Sequence, residues 1–278
     1  VSLLPAATEI VWALGAGNWL VGVTHACDYP PDARRLPRVT AAAIDASRPS
    51  AAIAAAVATA QRGGAPSITV DGALLRALAP DIVITQSLCD VCALGATGLD
   101  PVVAGLSPRP AVVTLHAHTL DGVWEDIRRV GAALDLASEA DELVAGLQQR
   151  LTRLARRAPP LRPRVLVLEW LDPPYVAGHW VPELVAAAGG RDIGGTPGAR
   201  STARPWRELR ALEPELVVVA PCGFDVPRAQ RELEDVRHPD ALALLAGRTG
   251  FVDGNAYTSR PGPRLVEGAG RLARLIHG

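Results

Sequence analysis

The chain contains no lysine and no methionine, and all 28 of its basic residues are arginines spread along 278 positions. That absence reads as codon bias in a chain trimmed of its start. Set against 29 acidic residues it leaves a net charge of −1, which offers neither a basic surface for nucleic acid nor an acidic tail. No stretch approaches the roughly 18 consecutive apolar residues of a membrane helix. No signal-peptide pattern is legible, because the sequence opens directly on an apolar, strand-like stretch. Four cysteines in so long a chain do not make a disulfide framework. Catalytic signatures are missing too: there is no G-x-S-x-G elbow, no P-loop, no G-x-G-x-x-G after a strand and no H-E-x-x-H.

What is present is an ordinary globular composition, 49% apolar and 21% charged, at a length that favours two compact lobes. Residues 75–84 read LRALAPDIVI and residues 209–218 read LRALEPELVV. Each phrase predicts a helix stopped at a proline, Pro80 or Pro214, then an acidic residue and a wholly apolar run. Such a run is what a strand buried on both faces looks like. The flanks agree. Val1–Leu4 predicts a strand, with Thr8 as N-cap of a helix through Leu14 and Gly15 as its stop. Val165–Leu168 predicts a second strand, followed by a loop from Glu169 to His179 and a helix from near Pro182 to Gly189 and Gly190. Alternating β and α elements imply parallel sheets covered by helices.

Between the halves, Trp124, Ile127, Val130 and Leu134 have helical spacing. Ser138 with Asp141 reads as a capping box opening a second helix to Arg157, with Leu143, Leu147, Leu151 and Leu154 on one stripe. At 1.5 Å per residue that helix is about 30 Å long, and Ala158-Pro159-Pro160 closes it. It predicts a rigid strut. The expected division is a β/α lobe over 1–118, linking helices over 119–158 and a second β/α lobe over 159–278. The expected fold class is thus α/β, two Rossmann-like lobes joined by a long rigid α-helix with a ligand cleft between them.

Ligands of open parallel sheets bind beyond the carboxyl ends of the strands. The segments that follow the expected strands collect all four cysteines and six aromatic rings: Tyr29, Trp170, Tyr175, Trp180, Phe224 and Tyr257. So many rings in one class of loop point to a large, partly apolar ligand held by surface contact. The first of these loops is Thr24-His25-Ala26-Cys27-Asp28-Tyr29-Pro30; the next runs from Thr85 and Gln86 through Cys89 to Cys92.

Over nearly its whole length the sequence resembles the helical-backbone class of ABC-transporter substrate-binding proteins, the group that captures cobalamin, haem and ferric siderophores. The residues that carry the likeness are SLLPAATEIVWALGA, VGVTHACDYP, LRALAPDIVITQ and SRPGPRLVEGAGRLARL. CDYP, LCDVC, LEWLDPPYVAGHW and SRPGPRL are similar to phrases of its cobalamin-binding branch. The resemblance implies a non-catalytic binder of cobalamin or another corrinoid, with haem or a ferric siderophore as the alternative. It implies ligand contacts from Tyr29 and Pro30, from Trp170, Tyr175 and Trp180, and from Tyr257, Arg260 and Arg264. His25, Cys27, Asp28, Gln86, Cys89, His179 and Phe224 complete the candidate set. Relatives that dock on a permease expose an acidic residue on each lobe. After Ile84 this chain has Cys89, Asp90 and Cys92 and no glutamate, which leaves a soluble carrier as the alternative to delivery. The expected compartment is periplasmic, or lipid-anchored outside the cytoplasm, if a leader was removed, and cytoplasmic otherwise.

The thiols admit three readings: soft pocket lining, a metal or ligand-metal site, or a redox pair or disulfide. A tetrahedral set would combine Cys27, Cys89, Cys92 and His25, with Cys222 the remaining thiol. No resident cofactor is required, but cobalt or iron in a bound ligand accepts His or Cys as an axial donor, and His25 or His179 could serve. The runner-up function is a metal- or thiol-dependent enzyme using the Cys27/Cys89/Cys92/His25 cluster. Glu169 and Asp172 have acid–base spacing, but Glu169 fits better as a backbone hydrogen-bonding residue at the loop base or as the partner of an arginine.

Overall fold

The computed structural model describes residues 1–87, 99 and 102–278. The chain separates into two units. One comprises Val1–Arg48, Ala55–Ala117 and Asp121–Ala145; the other comprises Pro49–Ala54, His118–Leu120 and Gly146–Gly278. Both are built from strands and helices in alternation, an α/β fold.

In the first unit β1 (Thr40–Ala42) pairs antiparallel with β2 (Ile68–Val70). β3 (Ile82–Gln86) runs parallel to β4 (Ala111–Leu115). Ser2 bridges in parallel to both Ile84 and Val23, and Val23 to Arg38. Val1, Leu3, Val39, Leu75, Val83 and Leu99 form the core beneath them.

The second unit holds β5 (Arg164–Leu171), β6 (Pro174–Val176), β7 (Arg191–Asp192), β8 (Thr202–Ala203), β9 (Leu216–Val219) and β10 (Thr249–Phe251). Their order is β10-β9-β5-β6-β8, with β7 also on β5. β10, β9 and β5 are parallel. All four residues of β9 are buried, as are Val165 to Leu168 of β5. Leu166, Leu168, Val217 and Val219 pack against Trp206, Leu209, Ala229 and Ala241 of the covering helices. Each such burial contributes about 1.5–3 kcal/mol, the reason an uninterrupted apolar run settles in the middle of a covered sheet.

The repeated phrase is a repeated geometry. Helices Gly72–Leu78 and Trp206–Ala211 precede the two prolines. Ala79, just before Pro80, has φ +42°, and Glu213, just before Pro214, has φ +47°. The Ala79 N–H donates to the Arg76 carbonyl at 3.2 Å, and the Glu213 N–H to the Arg210 carbonyl at 3.1 Å. A left-handed residue after the last turn reverses the chain, and proline keeps it from turning back into helix.

Four local expectations are corrected. Val1–Leu4 forms parallel bridges at Ser2 rather than a full strand. The first helix is Pro5–Ala13 with Leu4 at its cap. Thr8 therefore lies inside it, buried, donating to the Ser2 hydroxyl at 2.9 Å; proline at the first helical position outcompetes a later start. The stretch expected as a loop after Leu168 continues as strand to Leu171 and turns back as β6. Prolines 173 and 174 mark a tight reversal and not an open loop. The long helix spans Ala137–Arg157, one residue earlier than its expected opening, and Asp141 accepts from Arg128 Nε at 2.7 Å. That helix's residues group with the first unit as far as Ala145 and with the second from Gly146. Its buried positions are Ala140, Val144 and Leu147, whereas Leu143, Leu151 and Leu154 are half-buried. Among the described residues no helix is long and apolar enough to cross a membrane.

Candidate functional site

In the first unit the segment after Val23 is held by hydroxyls. Thr40 Oγ1 lies 2.8 Å from Thr24 Oγ1, 2.8 Å from His25 Nδ1 and 3.0 Å from the His25 N–H that donates to it. Arg38 donates to the Thr24 carbonyl at 2.9 Å. Burial, then the Arg38 charge, hold the His25 pKa below its ordinary value, so the imidazole is neutral at physiological pH. Cys27 is 1% exposed, with its Sγ 3.0 Å from Thr8 Oγ1. Beyond it the chain comes to the surface: Asp28 is half-buried and its carbonyl accepts from Arg34 Nε at 3.1 Å. Tyr29 is 44% exposed and Pro30 half-buried. Gln86 closes β3 and is buried. Cys89 and Cys92, with Asp90, lie outside the described residues.

The second unit gathers more of the candidates. At the carboxyl end of β5, Trp170 Nε1 donates to the Asp172 carbonyl at 3.0 Å, and its ring lies 5.1 Å from Phe224, tilted by 45°. Arg228 sets its guanidinium 4.1 Å from the centre of the Phe224 ring and pairs with Glu232. Asp225 fixes this arrangement by capping the helix Val226–Glu234 through the Arg228 N–H. Cys222, half-buried, donates its backbone N–H to the Glu169 carbonyl at 3.0 Å. Tyr175, half-buried on β6, pairs with Trp170 on one side and Ala203 on the other.

After β10, Asp253 caps the turn Gly254–Tyr257. Tyr257 then presents its ring to two cations: Arg271 is 4.0 Å from the ring centre and Arg264 5.6 Å. Arg271 also donates to the Tyr257 hydroxyl at 2.8 Å. Gly268 permits this packing, since a Cβ there would collide with the Tyr257 carbonyl. Arg260 is 6% exposed and donates to Asn255 Oδ1 at 2.7 Å. Arg228 and Arg271 were missed in the sequence because each acts from a helix rather than from the loop it serves.

His179 and Trp180 lead into the helix Val181–Ala187. Trp180 is 3% exposed and donates from Nε1 to the Thr258 carbonyl at 2.7 Å, so it ties the 179–182 turn to the last loop. His179 has φ +52°, and its ring is 5.5 Å from that of His118, a residue no sequence motif singled out.

Among the described residues no three His, Cys, Asp or Glu side chains are grouped so as to hold a metal ion. The proposed Cys27/Cys89/Cys92/His25 set has two members in the described chain, and the Cys27 thiol faces Thr8 in the interior.

The comparison with known proteins agrees with this architecture. Residues 1–250 match the periplasmic binding protein family. A cobalamin-binding protein of Halobacterium salinarum is 25% identical over 294 aligned positions, covering 100% of this chain and 69% of its own length. Among solved structures, the periplasmic vitamin B12 binding protein BtuF of Vibrio cholerae superposes with a TM-score of 0.67 at 18% identity, over 99% of this chain and 94% of that one. The periplasmic heme-binding protein RhuT from Roseiflexus sp. RS-1 gives 0.69 at 22% identity, over 99% and 96%. The match over most of its length places this chain in the periplasmic binding protein family.

Proposed function

We propose that the protein is a non-catalytic solute-binding protein whose ligand is a large metal-centred macrocycle, with cobalamin or another corrinoid as the first choice. The observation that carries this reading is the surface at the carboxyl ends of β5, β9 and β10. There the half-buried Trp170 rests on Phe224, which is 5% exposed and supports it from beneath, and Tyr257 is flanked by Arg264 and Arg271. Aromatic faces complement a flat apolar ring system, and guanidinium groups complement the polar arms at its rim. Haem is supported to the same degree by the solved relatives, and its carboxylate arms suit the same arginines. Within the family the reading extends to ABC-type uptake outside the cytoplasm; a soluble carrier is the alternative. The enzyme reading has less support, because Cys27 is enclosed, with its thiol against Thr8.

Visible-absorbance titration of the purified chain with hydroxocobalamin and, separately, with haemin tests this. Either ligand should shift its absorption band on binding. At about 100 times its Kd it should add about 2.7 kcal/mol to stability, a rise of very roughly 5–10 °C in Tm for a chain this size. A chain that leaves both spectra and its own Tm unchanged does not have this function.

A further inference from the structure

We propose that His118 and His179 form a two-histidine binding site for a divalent transition-metal ion, separate from the aromatic and arginine surface described above. The two rings belong to the second unit and their centres are 5.5 Å apart with a 40° tilt. Imidazoles bound at about 2.0–2.1 Å to one ion put each ring centre about 3.2 Å from it. With one nitrogen of each ring turned to a shared ion, a 5.5 Å separation corresponds to an N–metal–N angle of about 118°, close to tetrahedral and trigonal values.

The second observation is an orphaned atom. His179 Nδ1 is buried and has no hydrogen-bond partner. A buried nitrogen left so loses its hydration without compensation, at a cost of about 1–3 kcal/mol, and such groups call for an explanation. A metal ion supplies one, since the nitrogen lone pair is what it would bind.

The backbone at this residue is also held against its preference. The left-handed φ is unusual for a residue with a side chain. It is kept by two hydrogen bonds, from the His179 N–H to the Ala199 carbonyl at 2.6 Å and from the Gly198 N–H to the His179 carbonyl at 2.9 Å. Gly178 makes the approach possible, because a Cβ there would strike the Ala199 carbonyl and the Ser201 amide. The imidazole centre is also 5.5 Å from that of the Trp180 ring, itself anchored to Thr258. The His179 ring is therefore positioned before any ion arrives.

His118 is exposed and lies two residues before Leu120, whose N–H donates to Glu183 Oε2 at 2.8 Å. With no third His, Cys, Asp or Glu grouped with the pair among the described residues, water fills the remaining positions. Imidazole donors select Ni2+, Cu2+ or Zn2+ over Mg2+ or Ca2+. The exposed Arg200 charge works against any cation here, and water screens it.

Calorimetric titration of the ligand-free chain with NiCl2 tests the proposal without reference to tetrapyrrole binding. His118→Ala removes an exposed ring. His179→Asn removes the other while keeping a residue type that tolerates left-handed φ. Loss of an outer-sphere partner alone costs metal sites about 10–100-fold in affinity, so each variant should raise the Kd for Ni2+ by at least about tenfold, and replacement of the exposed His238 by Ala should not. Binding that survives both substitutions, or depends on only one of the two residues, overturns the proposal. Electron paramagnetic resonance of the unaltered chain with one equivalent of Cu2+ counts the bound imidazoles whatever the variants do. Two nitrogen-donor rings are expected, and one or none refutes the pair.

Discussion

Trp180 donates its indole N–H to the carbonyl of Thr258, at 2.7 Å, from a side chain that is 3% exposed. Sequence position alone put Trp180 among the rings of a ligand surface, but the bond gives it a second and testable role as a fastener between two loops. Trp180→Phe keeps most of the apolar contact and leaves the Thr258 carbonyl unsatisfied. We expect a loss of about 1–3 kcal/mol in chemical denaturation, with ligand affinity changed less than threefold. An affinity loss without a stability loss would reverse that assignment.

Trp170 is the contrasting case. Half-buried, with its N–H bonded only two residues away at Asp172 and one face on Phe224, it still has surface to give. Central aromatic anchors of an interface commonly cost about 2 kcal/mol or more on truncation. Trp170→Ala should accordingly weaken cobalamin or haem binding by about 30-fold in equilibrium dialysis, provided the variant melts cooperatively. Unchanged affinity for whichever ligand the parent binds would remove Trp170 from the site.

Asp253 gives a pH signature. Burial raises its carboxyl pKa above 3.8; the Ala256 backbone bond opposes this, the nearby Asp225 charge adds to it, and Arg264 and Arg260 oppose it again. The folded chain thus holds this proton more tightly than the unfolded one. Its contribution to stability is present below pH 3.8 and is lost as pH rises through the raised value. Asp253→Asn keeps an oxygen for the Ala256 N–H and removes the charge. Its Tm at pH 7 should equal or exceed the parent's, with the advantage shrinking toward pH 4. A variant less stable at pH 7 than the parent, yet matched to it at pH 4, would contradict this.

The paired junctions predict paired responses. Ala79 and Glu213 are exposed, so replacing either removes little packing. Both occupy the left-handed region that glycine enters without a Cβ penalty. The gain is offset in part by the greater freedom of glycine in the unfolded chain. Ala79→Gly and Glu213→Gly should each stabilise by up to about 1 kcal/mol in urea melts, with the same sign. Opposite signs would show that the repeated phrase does not encode one conformation.

By itself the sequence determined the α/β class, the helix–proline–strand junctions at Pro80 and Pro214, and the long helix before Pro159. Each of those is a local signal: a period, a capping residue, a run of branched apolar side chains. Tertiary structure decided the rest. Proline-rich 172–174 turned out to reverse a hairpin because β8 offers β6 a partner, and pairing of that kind is invisible in a local window. Cys27 was drawn inward by Thr8, 19 residues earlier, and Trp180 by Thr258, 78 residues later. His118 carries no motif, and only folding brings it beside His179, 61 residues later. A side chain's type limits what it can bind; which groups it finds within reach is set by contacts that the chain makes only once it is packed.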